Sequence, residues 1–147
     1  MKVIVVSGFF NPLHGGHLDM IEAAAKLGDR LIVIVNNDTQ QVKKKGKVIL
    51  VETNRARLLR ALRVVDEVMI SIDEDMTVTD SLAFLASQYP DDELLFANGG
   101  DRDSVKTIPE SEVCAEHGIE LVFGVGSDKS IKRDSSTRIN QALGHAK

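Results

Sequence analysis

Five short runs rich in Val, Ile and Leu, at 2–7, 30–36, 67–72, 93–98 and 119–125, constrain this chain more than any other feature. Each has strand length, and most are nearly continuous in apolar residues rather than alternating. Strands buried on both faces read this way, and parallel sheets bury both faces. The segments between them carry helical periodicity. Residues 17–27 set Leu18, Ile21 and Ala25 on one face, with Gly28 as a C-terminal stop. Residues 54–63 group Leu58, Leu59 and Leu62 opposite several Arg, and 80–89 space Leu82, Leu85 and Tyr89 before Pro90. Thr107 and Glu110 have capping-box spacing with Pro109 in the first turn and Gly118 at the end, and a last helix is expected at about 136–143. Strands alternating with helices imply right-handed crossovers and an α/β doubly wound, five-stranded parallel sheet, read as one domain over 1–147. The stretches 37–53, 99–107 and 126–134 read as irregular. In this class ligands bind beyond the carboxyl ends of the strands, so the loops there are where chemistry is expected.

Composition narrows the partners. A formal charge of -4 argues against a general nucleic-acid binder, which shows a basic excess. Cys114 is the only cysteine, which excludes an intramolecular disulfide and a cysteine-rich metal site and suits a reducing compartment. The amino terminus runs straight into Val3–Val6 without a signal-peptide layout, and no apolar run approaches the length of a membrane span. The expectation is a cytoplasmic protein with no membrane partner.

The loop after the first run reads Gly8-Phe9-Phe10-Asn11-Pro12-Leu13-His14-Gly15-Gly16-His17. It has neither the Gly-x-Gly-x-x-Gly spacing of a dinucleotide site nor a Walker A pattern. It does place two imidazoles three residues apart at a helix start, hence on one side of the first turn. Gly16 permits close approach of a ligand, and the helix N-terminus adds free N–H groups and positive potential that favour phosphate. Two imidazole N–H donors there would stabilise charge building on a phosphate during in-line attack. The competing reading is a solvated cap or an adventitious metal site; the position directly after the first strand favours the phosphate role.

The string resembles the Gly-x-Phe-Asp/Asn-Pro-x-His-x-Gly-His signature of the cytidylyltransferase-like nucleotidyltransferases. The resemblance implies a Rossmann-like domain in which His14 and His17 act on the triphosphate, Gly8, Phe9, Phe10, Asn11 and Gly16 contact the nucleotide, and no covalent intermediate forms. Later motifs fall in order. Ser135-Ser136-Thr137-Arg138 opens the last expected helix, where hydroxyls and free N–H groups suit phosphate. It resembles the family's Ser-Ser/Thr-Thr-x-Ile, which grips the β- and γ-phosphates. The Arg-Thr-Glu-Gly run that some cytidylyltransferases carry before it is replaced by Ser130-Ile131-Lys132-Arg133-Asp134. Lys43, Lys44, Lys45 and Lys47 follow the second run and read as a flexible cationic lid. Among these the resemblance carries over Lys44 as catalytic; a second family Lys falls on Gly46 here. Arg55 matches a family Arg, which implies a contact with the acceptor phosphate. Gly99-Gly100-Asp101 resembles the family's Gly-Gly/Ser/Asp-Asp segment, and Gly99 and Asp101 are assigned to the nucleotide.

Taken together, the resemblance implies transfer of a nucleoside monophosphate from a triphosphate to a phosphorylated small molecule, with release of pyrophosphate and with Mg²⁺ as cofactor. The central motifs look most like the branch using CTP on a small alcohol or sugar phosphate. An adenylyltransferase using ATP on a sugar phosphate, flavin or nicotinamide precursor is the first alternative, and an inactive nucleotide-sensing module the second. Which residues bind metal is left open. Related enzymes are often homodimers, so a dimer is a possible state. Cys114 reads as packing, and the acidic run Asp73, Glu74 and Asp75 as a solvated loop.

Overall fold

The structure is a computed structural model that describes residues 1–11, 13–75, 77–99 and 109–125. In chain order the elements are β1 (Lys2–Gly8), α1 (Gly15–Ala25), β2 (Arg30–Val35), α2 (Asp38–Lys45), α3 (Glu52–Arg60), β3 (Glu67–Ile70), α4 (Thr79–Gln88), β4 (Glu93–Gly99), α5 (Ser111–His117) and β5 (Glu120–Val125). The five strands form one sheet in the order β3-β2-β1-β4-β5, with every pair parallel. The expected doubly wound α/β architecture is therefore present.

Strand periodicity explains how both faces are covered. Ile4 and Val6 of β1, Leu31, Val33 and Val35 of β2, and Leu95 and Ala97 of β4 pack with Ile21 and Ala24 of α1 and Ala56 and Leu59 of α3. The intervening residues Val3, Val5, Ile32, Ile34, Leu94 and Phe96 turn the other way, onto Val78, Leu82 and Leu85 beside α4 and Cys114 of α5. Each Val, Ile, Leu and Phe among them contributes about 1.5–3 kcal/mol on burial. The connections change face between β1 and β4, and the crevice beyond that switch point is where this topology receives ligands.

Several local expectations are corrected. Helix α1 begins at Gly15, two residues before the expected start, because His14 caps it, and it closes at Lys26 in a right-handed conformation. Gly28 is required for another reason: a Cβ there would sit 2.7 Å from the Lys2 carbonyl oxygen and 2.9 Å from Ile4. That close approach lets the Asp29 amide donate to Lys2 O and the Lys2 amide to Asp29 Oδ2. Helix α5 begins at Ser111 with Glu110 as its N-cap rather than its third residue, and Thr107, the expected cap, lies outside the described residues. The Glu110 carboxylate is buried and accepts the Val78 amide at the start of α4. Gly118 ends α5 in the left-handed conformation, as expected. Asp73 belongs to no solvated loop: it is 2% exposed and accepts the amides of Asp80 and Ser81, capping α4. Cys114 is buried in the core, and desolvation, followed by the nearby Glu110, raises its thiol to about 11, so it is held as an unreactive thiol.

Candidate active site

The chain leaves β1 through Phe10, whose φ of 51° is unusual for a side chain of this size. Burial holds it there: Phe10 is 1% exposed and belongs to the core on the α1 face. Its ring folds back over Gly8, where a Cβ would lie 2.8 Å from the ring tip. The same ring meets the His17 ring edge-on, with centroids 4.8 Å apart at 70°. The motif implies nucleotide contacts for Gly8 and Phe10, but the Phe10 side chain is committed to packing instead. A bare glycine seats it as an aromatic wall behind His17. Asn11 is likewise turned inward. It is 2% exposed, and its Oδ1 accepts the amides of Ile49 at 3.0 Å and Leu50 at 2.9 Å, pinning the segment that precedes α3 to the β1 loop.

His14 and His17 form a reciprocal cap on α1. His14 has extended backbone, and its Nδ1 accepts the Gly16 amide at 3.0 Å. The His17 Nδ1 in turn accepts the His14 amide at 3.2 Å. The two rings stack with centroids 3.8 Å apart. An Nδ1 that accepts a hydrogen bond carries no proton, so each neutral ring bears its proton on Nε2. Burial, with His14 as the second cause, lowers His17 to about 4, and at neutral pH it is an uncharged donor. The helix start therefore carries two stacked imidazoles, each with its proton on Nε2 and both half-buried. With both Nδ1 atoms occupied and both Nε2 atoms protonated, the pair is set to donate to an anion rather than to ligate a cation. Gly16 takes part through its amide, within the cap itself.

Lys44 does not lie on an irregular lid. Residues 38–45 form α2, whose N-cap Asn37 and third residue Gln40 make a capping box, and which ends at left-handed Gly46. The spacing Asn37-x-x-Gln40 was the sequence signal for this helix, masked by the lysine-rich stretch that follows it. Lys44 Nζ stands 4.3 Å from the centroid of the Phe9 ring, a cation–π contact that brings α2 to the β1 loop. Lys43 turns away and donates to Glu74 O. The base of α2 is fixed by a buried network. Gln40 Oε1 accepts from Asn36 Nδ2, the Asn37 amide and Ser71 Oγ, while its Nε2 donates to Asp75 O and Thr77 O.

Arg55 is placed differently from the acceptor contact implied for it. It is 1% exposed, and its guanidinium is directed into the protein. Nε donates to Leu50 O, Nη1 to Phe9 O and Asn36 O, and Nη2 to Asp38 Oδ1 at 2.6 Å. A surface Arg at a helix start and a buried one look alike in sequence, because only the packing of the β1 and β2 ends shows which carbonyls need a donor. Asp38 and Gln40, missed in the sequence, are the partners that this packing brings in. Gly99 is the last residue of β4, beside a register shift that pairs it with Val125. Asp101, Ser135, Ser136, Thr137 and Arg138 lie outside the described residues.

Comparison with known proteins bears on this arrangement. Residues 5–142 match the family model described as cytidylyltransferase-like. The chain belongs to the cytidylyltransferase-like family. It is 43% identical over 76 residues to an FAD synthase of Ferroglobus placidus, covering 52% of this chain and 49% of that protein. It is 38% identical over 124 residues to the bifunctional protein HldE of Citrobacter koseri, covering 83% of this chain and 24% of that protein. The chain thus spans about half of the first relative's length and about a quarter of the second's. A solved lipopolysaccharide core biosynthesis protein of Thermoplasma volcanium superposes with a TM-score of 0.63 at 27% identity, over 84% of this chain and 94% of that one. Among the described residues no helix is long and apolar enough to cross a membrane.

Proposed function

We propose that this protein is an adenylyltransferase that moves AMP from ATP to the phosphate of a small acceptor, a sugar phosphate or a flavin mononucleotide, and releases pyrophosphate. The observation that carries the reading is the reciprocal His14–His17 cap, which stacks two imidazoles at the N-terminus of α1 and puts the proton of each on Nε2. Nucleotidyl transfer is the chemistry of the family to which the chain belongs. The choice of ATP over the CTP suggested by the motifs is supported by the likeness to an FAD synthase, since FAD is a flavin mononucleotide bearing an adenylyl group. A sugar phosphate acceptor is supported by the likeness to a lipopolysaccharide core biosynthesis protein, because such cores are built from sugars.

In the proposed reaction a phosphate oxygen of the acceptor attacks the α-phosphorus in line. The new P–O bond forms as the bond to the β-phosphate breaks, and pyrophosphate leaves with the electron pair. The attacking oxygen belongs to a phosphate already ionised at neutral pH, so no general base is needed. His14 and His17 donate their Nε2 protons as hydrogen bonds to the non-bridging α-oxygens, where charge accumulates. The cap and the Phe10 wall hold both rings in place before substrate arrives, so little reorganisation is required at the transition state. Lys44 supplies a positive charge from the α2 side. Ser135, Ser136, Thr137 and Arg138 are assigned to the leaving pyrophosphate, and Gly99 and Asp101 to the nucleoside.

The described residues offer no all-protein cage for Mg²⁺. The histidine nitrogens are committed as above, and no group of three or more His, Cys, Asp or Glu is placed to hold an ion among the described residues. The Mg²⁺ that the family implies would be carried by the triphosphate oxygens and water, as this ion prefers.

Thermal stability with Mg²⁺ plus ATP, and separately plus CTP, tests the nucleotide, because a ligand that binds the folded state raises its stability by mass action. A selective rise with ATP, followed by pyrophosphate release on adding flavin mononucleotide or a sugar phosphate, supports the reading. A selective rise with CTP moves the assignment to cytidylyl transfer. Nucleotide binding without pyrophosphate release under any acceptor makes the chain a nucleotide-sensing module.

A further inference from the structure

We propose that Arg55 is a positioning residue for Lys44, setting in one frame both halves of the Lys44–Phe9 contact; this rests on reading Lys44 as a cation that acts on the substrate phosphates. Lys44 reaches the β1 loop from the last turn of α2, while Phe9, on which it sits, belongs to β1's exit. Behind those two segments the β1–β2 pairing runs to Gly8 and Val35, and the Asn36 amide donates to Gly8 O at 2.9 Å. Beyond that pairing, Arg55 joins the two segments. One end of its guanidinium holds Phe9 O at 2.6 Å and Asn36 O at 2.7 Å, and the other holds Asp38, the first residue of α2, at 2.6 Å. Its Nε reaches Leu50 O, whose own amide is taken by Asn11. The side chain of Arg55 is fully buried and that of Asp38 is 32% exposed, so the charge of Arg55 is compensated by a partner that water partly screens. Asp38 is further tied to the start of α3 through its amide, which donates to Glu52 Oε1 at 2.8 Å.

This geometry has a directional consequence. A planar fork with fixed donor vectors sets the angle between the β1 exit and the α2 axis, and a Lys ammonium with its single freely rotating head does not. Loss of the fork would leave α2 held by its Gln40 network and by Lys43 on Glu74 O, all toward the segment after β3, and would remove its tie to the β1 exit, so that Lys44 shifts relative to Phe9 and the histidine loop. Displacements of that kind are costly where a cation must meet a developing charge.

Two measurements on the full chain test this. First, the lysines are reductively methylated with ¹³C, and the Lys44 signal is identified as the one missing in Lys44→Arg. Its position over the Phe9 ring places that signal upfield, and Phe9→Leu should return it to the exposed-lysine position. In Arg55→Lys the same return is expected while the thermal transition stays cooperative. Should Arg55→Lys fail to fold, Asp38→Asn, which keeps an acceptor oxygen and loses the charge, is expected to move the signal the same way by less. A folded variant that keeps the upfield signal overturns the proposal. Second, kcat/KM is measured for Arg55→Lys, Lys44→Ala and the double variant. Arg55→Lys should lose roughly ten- to a hundredfold alone and little more in the Lys44→Ala background. A costly Lys44→Ala on which the Arg55→Lys loss adds in full overturns the positioning role and leaves Lys44 in the reaction. A Lys44→Ala with full turnover removes Lys44 from the reaction, and the proposal with it, whereas absence of turnover in the native chain bears on the enzymatic reading and leaves the spectroscopic test to decide.

Discussion

The amide of His14 donates to Nδ1 of His17, three residues on, while the His14 ring stacks on the His17 ring at 3.8 Å. A capping box usually pairs a hydroxyl or carboxamide with a Glu or Gln. Built from two imidazoles, it does a second thing: by occupying each Nδ1 it puts each proton on Nε2. The same hydrogen bonds that start the helix select the tautomer that a phosphate needs.

Replacing His17 with Asn should separate these roles. The Asn Oδ1 can take the place of Nδ1 in accepting the His14 amide, but nothing replaces Nε2–H. We expect the melting temperature to change little, nucleotide affinity to be largely kept, and kcat to fall by about 10²–10³. Turnover within a few-fold of the native chain would remove His17 from transition-state stabilisation.

Stability should fall in mild acid. Unfolded, the His17 imidazole titrates near 6.5; folded, at about 4. The unfolded chain therefore takes up this proton first, and stability is lost as pH drops from about 7 to about 4, with no further loss from this group below that. The full contribution is on the order of 3 kcal/mol. Melting temperature measured across this window in the native chain and in His17→Asn checks the source: the variant should show a shallower slope, and an unchanged slope would assign it elsewhere.

Gly8→Ala should destabilise through the Phe10 ring. The added Cβ lies 2.8 Å from the ring tip, and the ring is fully buried against His17 and the core. Overpacking of this kind costs about 1–3 kcal/mol. Urea unfolding should show a lower midpoint, and kcat should fall as well because the wall behind His17 shifts. A midpoint equal to that of the native chain would mean that the ring has space to move.

Gln40→Leu should be among the more damaging substitutions outside the apolar core. Gln40 is completely buried, takes three donors on its oxygen and gives two from its nitrogen. A leucine of similar size leaves those groups without their partner, at a cost of about 1–3 kcal/mol for each one not re-satisfied. The same denaturation experiment would show it, and a loss below about 1 kcal/mol would mean that water or a shifted side chain takes over.

Much of the architecture was legible from the chain alone, because in a parallel sheet every strand must be apolar on both faces, and the runs at β1, β2, β4 and β5 announce this directly. The two histidines were legible for a similar reason: their spacing is local, and a three-residue separation at a helix start places both rings on one side whatever surrounds them. Gly118 could be read as a left-handed stop because that, too, is a local backbone property. Tertiary structure decided the residues whose meaning depends on what the fold brings to them. Arg55 became an internal brace because the ends of β1 and β2 leave the carbonyls of Phe9 and Asn36 facing it, 46 and 19 residues away in sequence. Asp73 became a helix cap, Asn11 a clamp on Leu50, and Phe10 a wall for His17 by the same process. Gly8 and Gly28 are needed for what approaches them, which no local pattern records. Periodicity and short-range spacing carry the elements and the chemistry of one helix start, whereas the satisfaction of buried polar groups is a long-range condition that exists only once the sheet has closed around them.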